Sequence, residues 1–314
     1  MKKIFIIIIG ALICFSGCKK DEQTVRIAHF PALTPSQLFV GVANGYFKEE
    51  GIKVEIFEMN SPDIVPAIMG KSVDIGFAVV PPLINARANE IRIKSIGGAT
   101  FDSENVREHR IMLPIDSEIQ SAQDLRGKKI AVITKTAGAS DYLALVNYLK
   151  NNGIKEEEVE IVSVPFPDMI FALTSKSVDA AAAVEPFITM GALEKKTRTF
   201  DYYYPDQVIN VGTFLAHEDF IDANPELIAR ISRVIDKATN FINNQEEEFR
   251  KLLPTLGEHG IKLKISKEVA DSMSIMGFSN SLTPSSLDAI MDMMIDKNVL
   301  KTKINMEDLI YSKK

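Results

Sequence analysis

Two stretches of the sequence align with each other without a gap and carry most of the information about the fold. They are AIMGKSVDIGFAVVP at residues 67–81 and ALTSKSVDAAAAVEP at residues 172–186, and eight of their fifteen positions are identical. Each has the pattern of a helix end, a tight turn, a buried strand and a proline that opens the next helix. Similar packing needs of two βαβ elements explain part of the match. The sequence therefore predicts two equivalent strand-to-helix corners.

The residues around both stretches alternate between short β-rich runs and amphipathic helical runs. This alternation predicts an α/β protein in which each sheet is mostly parallel and has helices on both faces. Beyond Pro225 the pattern is helical throughout. About 290 of the 314 residues follow the N-terminal segment. This is more chain than one compact hydrophobic core usually holds, so we expect two lobes.

The N-terminus has the pattern of a secretion signal. Lys2 and Lys3 precede an apolar run at residues 4–15, which is shorter than the roughly 20 residues of a membrane-spanning helix. Ser16-Gly17 then lead into Cys18, a pattern that resembles a bacterial lipobox. The resemblance implies a signal peptide at residues 1–17, lipidation of Cys18, and a tether at residues 18–24 that holds the protein on the extracytoplasmic side of a membrane. The alternative is an ordinary signal peptide with a chance cysteine.

Composition excludes several classes of function. A formal net charge of −6 provides no basic stripe for nucleic acid. Cys14 lies within the predicted signal peptide, so the mature chain has no cysteine pair for a disulfide. The four histidines are scattered along the chain without metal-ligand spacing, and neither a phosphate-loop nor a Gly-x-Ser-x-Gly motif is present. We therefore expect no metal, no cofactor and no enzymatic activity.

Several motifs resemble those of ABC-importer substrate-binding proteins of the nitrate, sulfonate and taurine type. The resemblance rests on the two Lys-Ser-Val-Asp turns, on GVANGYFKEEGIKV at residues 41–54, on DLRGKKIAV at residues 124–132, and on Val184-Glu185-Pro186. It covers roughly residues 25–216. The family often has a tryptophan before the Glu-Pro pair, whereas this chain has Val184 there and no tryptophan at all.

The resemblance implies a two-lobed type II periplasmic-binding fold, in which the lobes close on a ligand like a Venus flytrap. The chain is expected to cross between the lobes near residues 110–115 and 208–216. The first lobe is then expected to comprise residues 25–113 and 211–314, and the second residues 114–210. A monomer is expected.

The ligand is expected to lie where loops follow strands, since sites in open α/β sheets lie at the carboxyl ends of the strands. The loop at residues 134–140 combines hydroxyls, Lys135 and a glycine before a helix, which suits an oxyanion; the alternative is a plain β-to-α connection with an N-cap. Glu185 is either a ligand contact or a capping or hinge residue. The candidate binding residues are Phe30, Leu33, Thr34, Val80, Pro81, Thr100, Thr134, Thr136, Ala137, Gly138, Phe166, Asp168, Glu185 and Gly212.

These observations predict a lipid-anchored, extracytoplasmic protein that captures a small organic ligand and delivers it to an ABC permease and its ATPase. By resemblance, an oxyanion-bearing ligand such as a sulfonate or taurine is expected first, and a pyrimidine-like or other aromatic compound next. An anchored sensor of the same fold is the alternative. An exported enzyme is a more distant one.

Overall fold

The computed structural model describes residues 23–103, 105–136, 138–204 and 208–312. Eleven strands lie within these ranges and form two sheets. The strands are β1 (Gln23–His29), β2 (Ile52–Glu58), β3 (Ile75–Val79), β4 (Ile93–Asp102), β5 (Arg110–Pro114), β6 (Lys129–Val132), β7 (Glu160–Ser163), β8 (Ala180–Ala183), β9 (Thr197–Tyr202), β10 (Ile209–His217) and β11 (Gly277–Ser279).

Helices connect the strands and cover the sheets. They are α1 (Ser36–Ala43), α2 (Tyr46–Glu49), α3 (Ile64–Met69), α4 (Val80–Ala88), α5 (Ser140–Asn151), α6 (Phe166–Thr174), α7 (Phe187–Leu193), α8 (Glu218–Ala223), α9 (Pro225–Asn244), α10 (Glu246–Leu252), α11 (Lys267–Ser272), α12 (Pro284–Asp296) and α13 (Met306–Leu309). Short 3₁₀ turns lie at Ser61–Asp63, Ala122–Leu125, Glu156–Glu158 and Leu253–His259. Within the described ranges no helix is both long and apolar enough to cross a bilayer.

The first sheet has six strands in the order β11-β4-β10-β3-β1-β2. β1 pairs in parallel with β2 and β3, and β10 runs antiparallel between β3 and β4. Strands β1 to β4 therefore share one direction, and their carboxyl ends lie at the same edge. The expectation that everything beyond Pro225 is helical is wrong at β11, because three residues are too few to produce a visible alternation.

The second sheet has five strands in the order β7-β6-β8-β5-β9. β6 pairs in parallel with β7 and β8, whereas β5 runs antiparallel between β8 and β9. In the second sheet, therefore, β5 is reversed and the other four strands share a direction, whereas in the first sheet β10 and β11 both run opposite to β1–β4. We call the part of the chain around the first sheet the first lobe, and the part around the second sheet the second lobe.

The two crossings lie a few residues earlier than the sequence analysis placed them. The chain leaves the first sheet after Asp102 and enters the second at Arg110; it leaves the second after Tyr202 and returns to the first at Ile209. Residues 110–113, assigned above to the first lobe, thus hydrogen-bond within the second sheet, and residues 209–210, assigned to the second lobe, pair within the first. Apolar periodicity predicts a strand but carries no information about which sheet the strand joins.

Strand alternation gives the second sheet two buried faces. Ile111 and Leu113 of β5 point into the larger hydrophobic cluster, which continues into the first lobe, whereas Met112 between them points into a smaller cluster. The four alanines of β8 alternate in the same way. Burial on both faces explains why this strand reads as a continuous apolar run.

The duplicated turns perform the same structural task in both lobes. Asp74 accepts a hydrogen bond from the backbone N–H of Arg26 in β1 at 2.9 Å, and Asp179 accepts one from the backbone N–H of Lys129 in β6 at 2.8 Å. The lysine that opens each Lys-Ser-Val-Asp turn has a positive φ, 56° at Lys71 and 59° at Lys176. The identical tetrapeptides therefore join β3 to β1 and β8 to β6.

We predict that Asp74→Ala lowers the free energy of unfolding by about 1–3 kcal/mol, because it removes a partly buried, charge-assisted bond to the backbone N–H of Arg26 in the middle of β1. The matched control is Asp116→Ala, since Asp116 forms only an exposed pair with Lys176. We expect that control to change stability by less than about 0.5 kcal/mol. Chemical denaturation followed by circular dichroism measures both. Equal losses in the two variants would contradict this role for the turn.

Candidate functional site

A cavity of about 360 Å³ lies between the two lobes. The first lobe contributes residues that follow β1, β2 and β3, and the second contributes residues that follow β6 and β7. The site therefore lies at the carboxyl ends of strands from both sheets, as the fold predicts. The lining residues are Phe30, Ser61, Pro62, Val65, Val79, Pro82, Asn85, Ala86, Asn89 and Ile91 from the first lobe, and Ile133, Thr134, Thr136, Gly138, Ala139, Ser140, Asp141 and Phe166 from the second.

Helix α4 positions the first-lobe wall of the cavity. The helix begins directly after β3 and has prolines in its first turn, where the missing backbone N–H costs no helical bond. Pro82, Asn85 and Asn89 follow one another at helical spacing and all line the cavity. One face of this helix therefore carries two amides and an apolar ring surface into the site.

Loop 133–139 and the first turn of α5 form the opposite wall. Asp141, 9% exposed, lies in the first turn of α5, where a carboxylate is stabilised by the helix dipole. The hydroxyl oxygen of Ser140 is buried and has no hydrogen-bond partner among the described residues. Phe166 opens α6 and stacks on Phe187, with ring centroids 5.9 Å apart. The second lobe thus supplies hydroxyls, one carboxylate and an aromatic face.

The structure brings five of the fourteen predicted binding residues together around this cavity. They are Phe30, Thr134, Thr136, Gly138 and Phe166. Ala137 lies outside the described residues. The remaining eight do not line the cavity, for reasons of burial or direction.

Six of these eight residues are buried in the body of the protein away from the cavity. Pro81 borders a much smaller void of about 10 Å³ together with Ser140 and Asn210. The others are packed in the first lobe: Leu33, Thr34, Val80, Thr100 and Gly212. Thr100 and Gly212 face each other as register partners of β4 and β10. Asp168, in contrast to these buried residues, is exposed to solvent on α6.

Glu185 acts as a capping group rather than as part of the cavity wall. Its carboxylate accepts hydrogen bonds from the backbone N–H of Thr189 at 3.1 Å and from the Thr189 hydroxyl at 3.0 Å. The backbone N–H of Ser274, from the first lobe, lies 3.4 Å away. Burial raises the pKa of Glu185, and these hydrogen bonds oppose the rise. The second duplicated corner therefore contributes no residue to the described cavity lining, and Phe187, which follows it, stacks on Phe166.

Sequence reasoning missed the side chains of α4 and the start of α5. Asn85 and Asn89 follow the first corner by one and two helical turns, a spacing that could have indicated them. Ser140 and Asp141 follow the loop that was singled out. Lys135 in that loop does not line the cavity. Burial alone raises the pKa of Glu156, but hydrogen bonds from Lys297 and Tyr142 outweigh it and lower the pKa below its usual value. The positive charge of Lys135 adds to this lowering, so Lys135 interacts with Glu156.

A buried polar cluster at the two crossings holds the rear of the site. Asp102 accepts hydrogen bonds from the backbone N–H groups of Ser103, Glu108 and His109, and its Oδ2 lies 2.7 Å from His109 Nδ1. His109 Nε2 lies 3.6 Å from Asp141 Oδ1. The histidine ring thus connects the strand that leaves the first lobe with the helix that lines the cavity in the second.

The tyrosines of the second crossing enclose this cluster. His109 stacks on Tyr204 with ring centroids 4.0 Å apart, and Tyr203 donates a hydrogen bond to Asp141 at 3.2 Å. Tyr203 and Tyr204 pack, being 1% and 5% exposed.

Burial and charge shift the protonation of this cluster. Burial alone lowers the pKa of His109, but the bond to Asp102 and the charges of Glu108 and Asp141 outweigh it and raise the pKa to about 9. Burial raises the pKa of Glu108 to about 8, with Asp102, Glu185 and Asp141 adding to the rise. Burial also raises the pKa of Asp141, against the effects of His109, Tyr203 and Tyr204. Across the described ranges, no group of three or more His, Cys, Asp or Glu is arranged to hold a metal ion.

We predict that stability falls as pH rises from about 6.5 to about 9, because folded His109 keeps a proton that the unfolded chain releases above about pH 6.5. Glu108 acts in the same sense between about 4.5 and 8, so the slope approaches about 1.4 kcal/mol per pH unit for each proton. Urea unfolding across this pH range measures the slope. His109→Gln should flatten it, and His259→Gln, outside the cluster, should not. An unchanged slope in His109→Gln would contradict the assignment.

The sheets and the cavity define the class of protein: two α/β lobes joined by two crossings, with a ligand-sized space between them, which is the architecture of periplasmic-binding proteins. The chain belongs to the NMT1/THI5-like family, whose model matches residues 35–249. The fold class expected from the sequence is confirmed.

Known proteins similar to this chain include both binders and an enzyme. The taurine-binding periplasmic protein of Escherichia coli is 26% identical over 245 residues, which cover 75% of this chain and 72% of that protein. The 4-amino-5-hydroxymethyl-2-methylpyrimidine phosphate synthase of Aspergillus parasiticus is 25% identical over 239 residues, covering 70% and 67%. Among solved structures, the alkanesulfonate-binding protein of Xanthomonas axonopodis pv. citri bound to MOPS matches with a TM-score of 0.74 at 18% identity, over 92% of this chain and 98% of that chain.

Proposed function

We propose that the protein is a solute-binding protein that captures a small organic molecule in the interlobe cavity and delivers it to an ABC permease. The observation that carries the proposal is the cavity itself, because both lobes line it and it lies at the carboxyl ends of both sets of strands. A space of about 360 Å³ is of the size that holds small ligands. The binding relatives support this role.

The crossings allow the capture mechanism that the architecture suggests. Two short segments, at residues 103–109 and 203–208, separate the sheets, so a change in their dihedral angles reorients one lobe against the other. Contacts away from the cavity also join the lobes: Lys150 pairs with Asp296, and Arg110 donates a hydrogen bond to Ser274 at 3.2 Å. We propose that ligand contacts with both walls favour the closed arrangement.

The ligand is proposed to be a small organic compound. The sulfonate and taurine binders among the relatives supply the oxyanion-bearing candidates, and the pyrimidine phosphate synthase supplies the aromatic ones. We propose binding rather than catalysis, although the synthase shows that a similar sequence occurs in an enzyme. Turnover of the captured ligand by the purified protein would overturn this part of the proposal.

We propose that the protein is anchored outside the cytoplasm through a lipid on Cys18, a residue outside the described ranges. Cys18→Ala should release the protein from the membrane fraction or stall its processing, because the thiol that accepts the lipid is absent. Fractionation followed by mass spectrometry of the N-terminus measures both outcomes. Membrane association with unchanged mass in the variant would contradict the anchor.

We predict that Gly138→Leu abolishes ligand binding by filling the cavity. A Cβ at Gly138 would meet no atom of the described residues within 4 Å, so the substitution adds volume to the cavity without a clash at Cβ. Gly257→Leu is the matched control, because Gly257 has the same open surroundings and lies outside the cavity.

The ligand is to be recovered from protein purified under native conditions and identified by mass spectrometry. Added back, it should raise the melting temperature of the wild type and of Gly257→Leu, but not of Gly138→Leu, since a ligand that binds only the folded state stabilises it. Equal stabilisation of all three proteins would place the site elsewhere and overturn the proposal. Loss of uptake in cells that carry Gly138→Leu tests the delivery step.

A further inference from the structure

The ionisable residues that line the cavity are acidic rather than basic. Among the eighteen lining residues, Asp141 is the single ionisable side chain, and neither lysine nor arginine is present. The polar remainder consists of hydroxyls and amides, which carry no net charge. The part of the cavity wall that the structure describes therefore includes one acidic residue and no lysine or arginine.

Three cationic residues lie next to cavity-lining residues in the sequence, and none of them lines the cavity. Arg87 pairs with Glu218 and Asp308, and Arg92 pairs with Glu218 and Asp219. Lys135 is exposed, and its charge acts on the pKa of Glu156. Among the described residues, an anionic ligand group would therefore lack the ion pair that usually stabilises it.

His109 does not reverse this balance. Its ring lies between Asp102 and Asp141, 2.7 Å from the first and 3.6 Å from the second, so one imidazolium faces two carboxylates. Glu108 approaches Nδ1 to 3.7 Å and, with its pKa raised by burial to about 8, adds negative charge only as the pH rises through that value. His109 is 2% exposed and is absent from the lining of the cavity, so it reaches a ligand only through Asp141.

The rest of the lining fits an apolar body. Phe30 and Phe166, one from each lobe, border the cavity together with Val65, Val79 and Ile133. Ser140, beside Asp141, has a buried hydroxyl without a partner among the described residues, and a buried polar atom of this kind calls for a hydrogen bond. The polar end of the ligand is therefore placed at Asp141 and Ser140, and the apolar end between the two phenylalanine rings.

We infer that the captured ligand is an organic amine, held by Asp141 at its N–H groups and by Phe30 and Phe166 along an aromatic or aliphatic body. This inference rests on the proposed function and names the ligand class of that site. It differs from the oxyanion expected from the loop at residues 134–140, because the lysine that motivated this expectation does not line the cavity. Asp141 is the residue that determines specificity for charge.

The experiment uses three probes that share one body and differ in the head group: 3-phenylpropylamine, 3-phenyl-1-propanol and 3-phenylpropane-1-sulfonate. Binding to the wild-type protein is measured by calorimetry at about pH 8, where the amine remains protonated. The amine should bind at least about tenfold more tightly than the sulfonate, with the alcohol between them. Tighter binding of the sulfonate, or no binding of any probe, would overturn the inference.

Substitution assigns the preference to one carboxyl group. Asp141→Asn keeps the shape and should weaken binding of the amine by about tenfold while leaving the alcohol within about twofold. Asp168→Asn is the matched control, because Asp168 is exposed on α6 and does not line the cavity. An amine preference that survives in Asp141→Asn would overturn the role of this residue. The wild-type comparison of head groups stands even if Asp141→Asn does not fold.

The outcome also separates this inference from the proposed function. If the ligand recovered from cells is an anion whose binding is abolished by Gly138→Leu, the capture function stands and the inference fails. If neither the recovered material nor any probe responds to Gly138→Leu, the proposed function itself fails.

Discussion

The carboxylate of Asp102 controls the point at which the chain leaves the first sheet, and the interlobe cavity depends on that point. Three backbone N–H groups and the His109 ring converge on one buried side chain, so the turn after β4 is closed by local bonds. Because His109 also approaches Asp141, the same cluster reaches the first turn of α5. The tyrosines of the second crossing pack around it, so both crossings share one buried polar centre.

This centre adjoins the cavity wall at Asp141, and in the proposed function it links the capture of a ligand to the arrangement of the lobes. Asp141 belongs both to the cavity lining and to the cluster at the crossings. A ligand that binds this carboxyl group changes the charge that His109 and Tyr203 experience. The relatives include a taurine-binding protein and a pyrimidine phosphate synthase, and the described part of the present cavity has a largely apolar lining with one acidic residue. Fold and ligand class are thus set by different residues.

Local patterns predicted much of the fold and part of the site. The Lys-Ser-Val-Asp repeat indicated two equivalent turns, and the bonds of Asp74 and Asp179 show why both copies need the same residues. The rule that ligands bind at the carboxyl ends of strands found Phe30, Thr134 and Phe166. The same rule failed for Glu185, because the cap on Thr189 and the contact with Ser274 involve residues that no spacing relates to the cavity.

The sequence by itself determined the α/β class, the paired corners and the loop of the second lobe that lines the cavity. These features depend on residues that are neighbours along the chain. Only the tertiary structure decided which sheet residues 110–113 join, which corner reaches the cavity, and that the described cavity lining includes Asp141 but no lysine. Those features depend on distances between residues that are far apart in sequence, and such distances are set by how the two lobes pack.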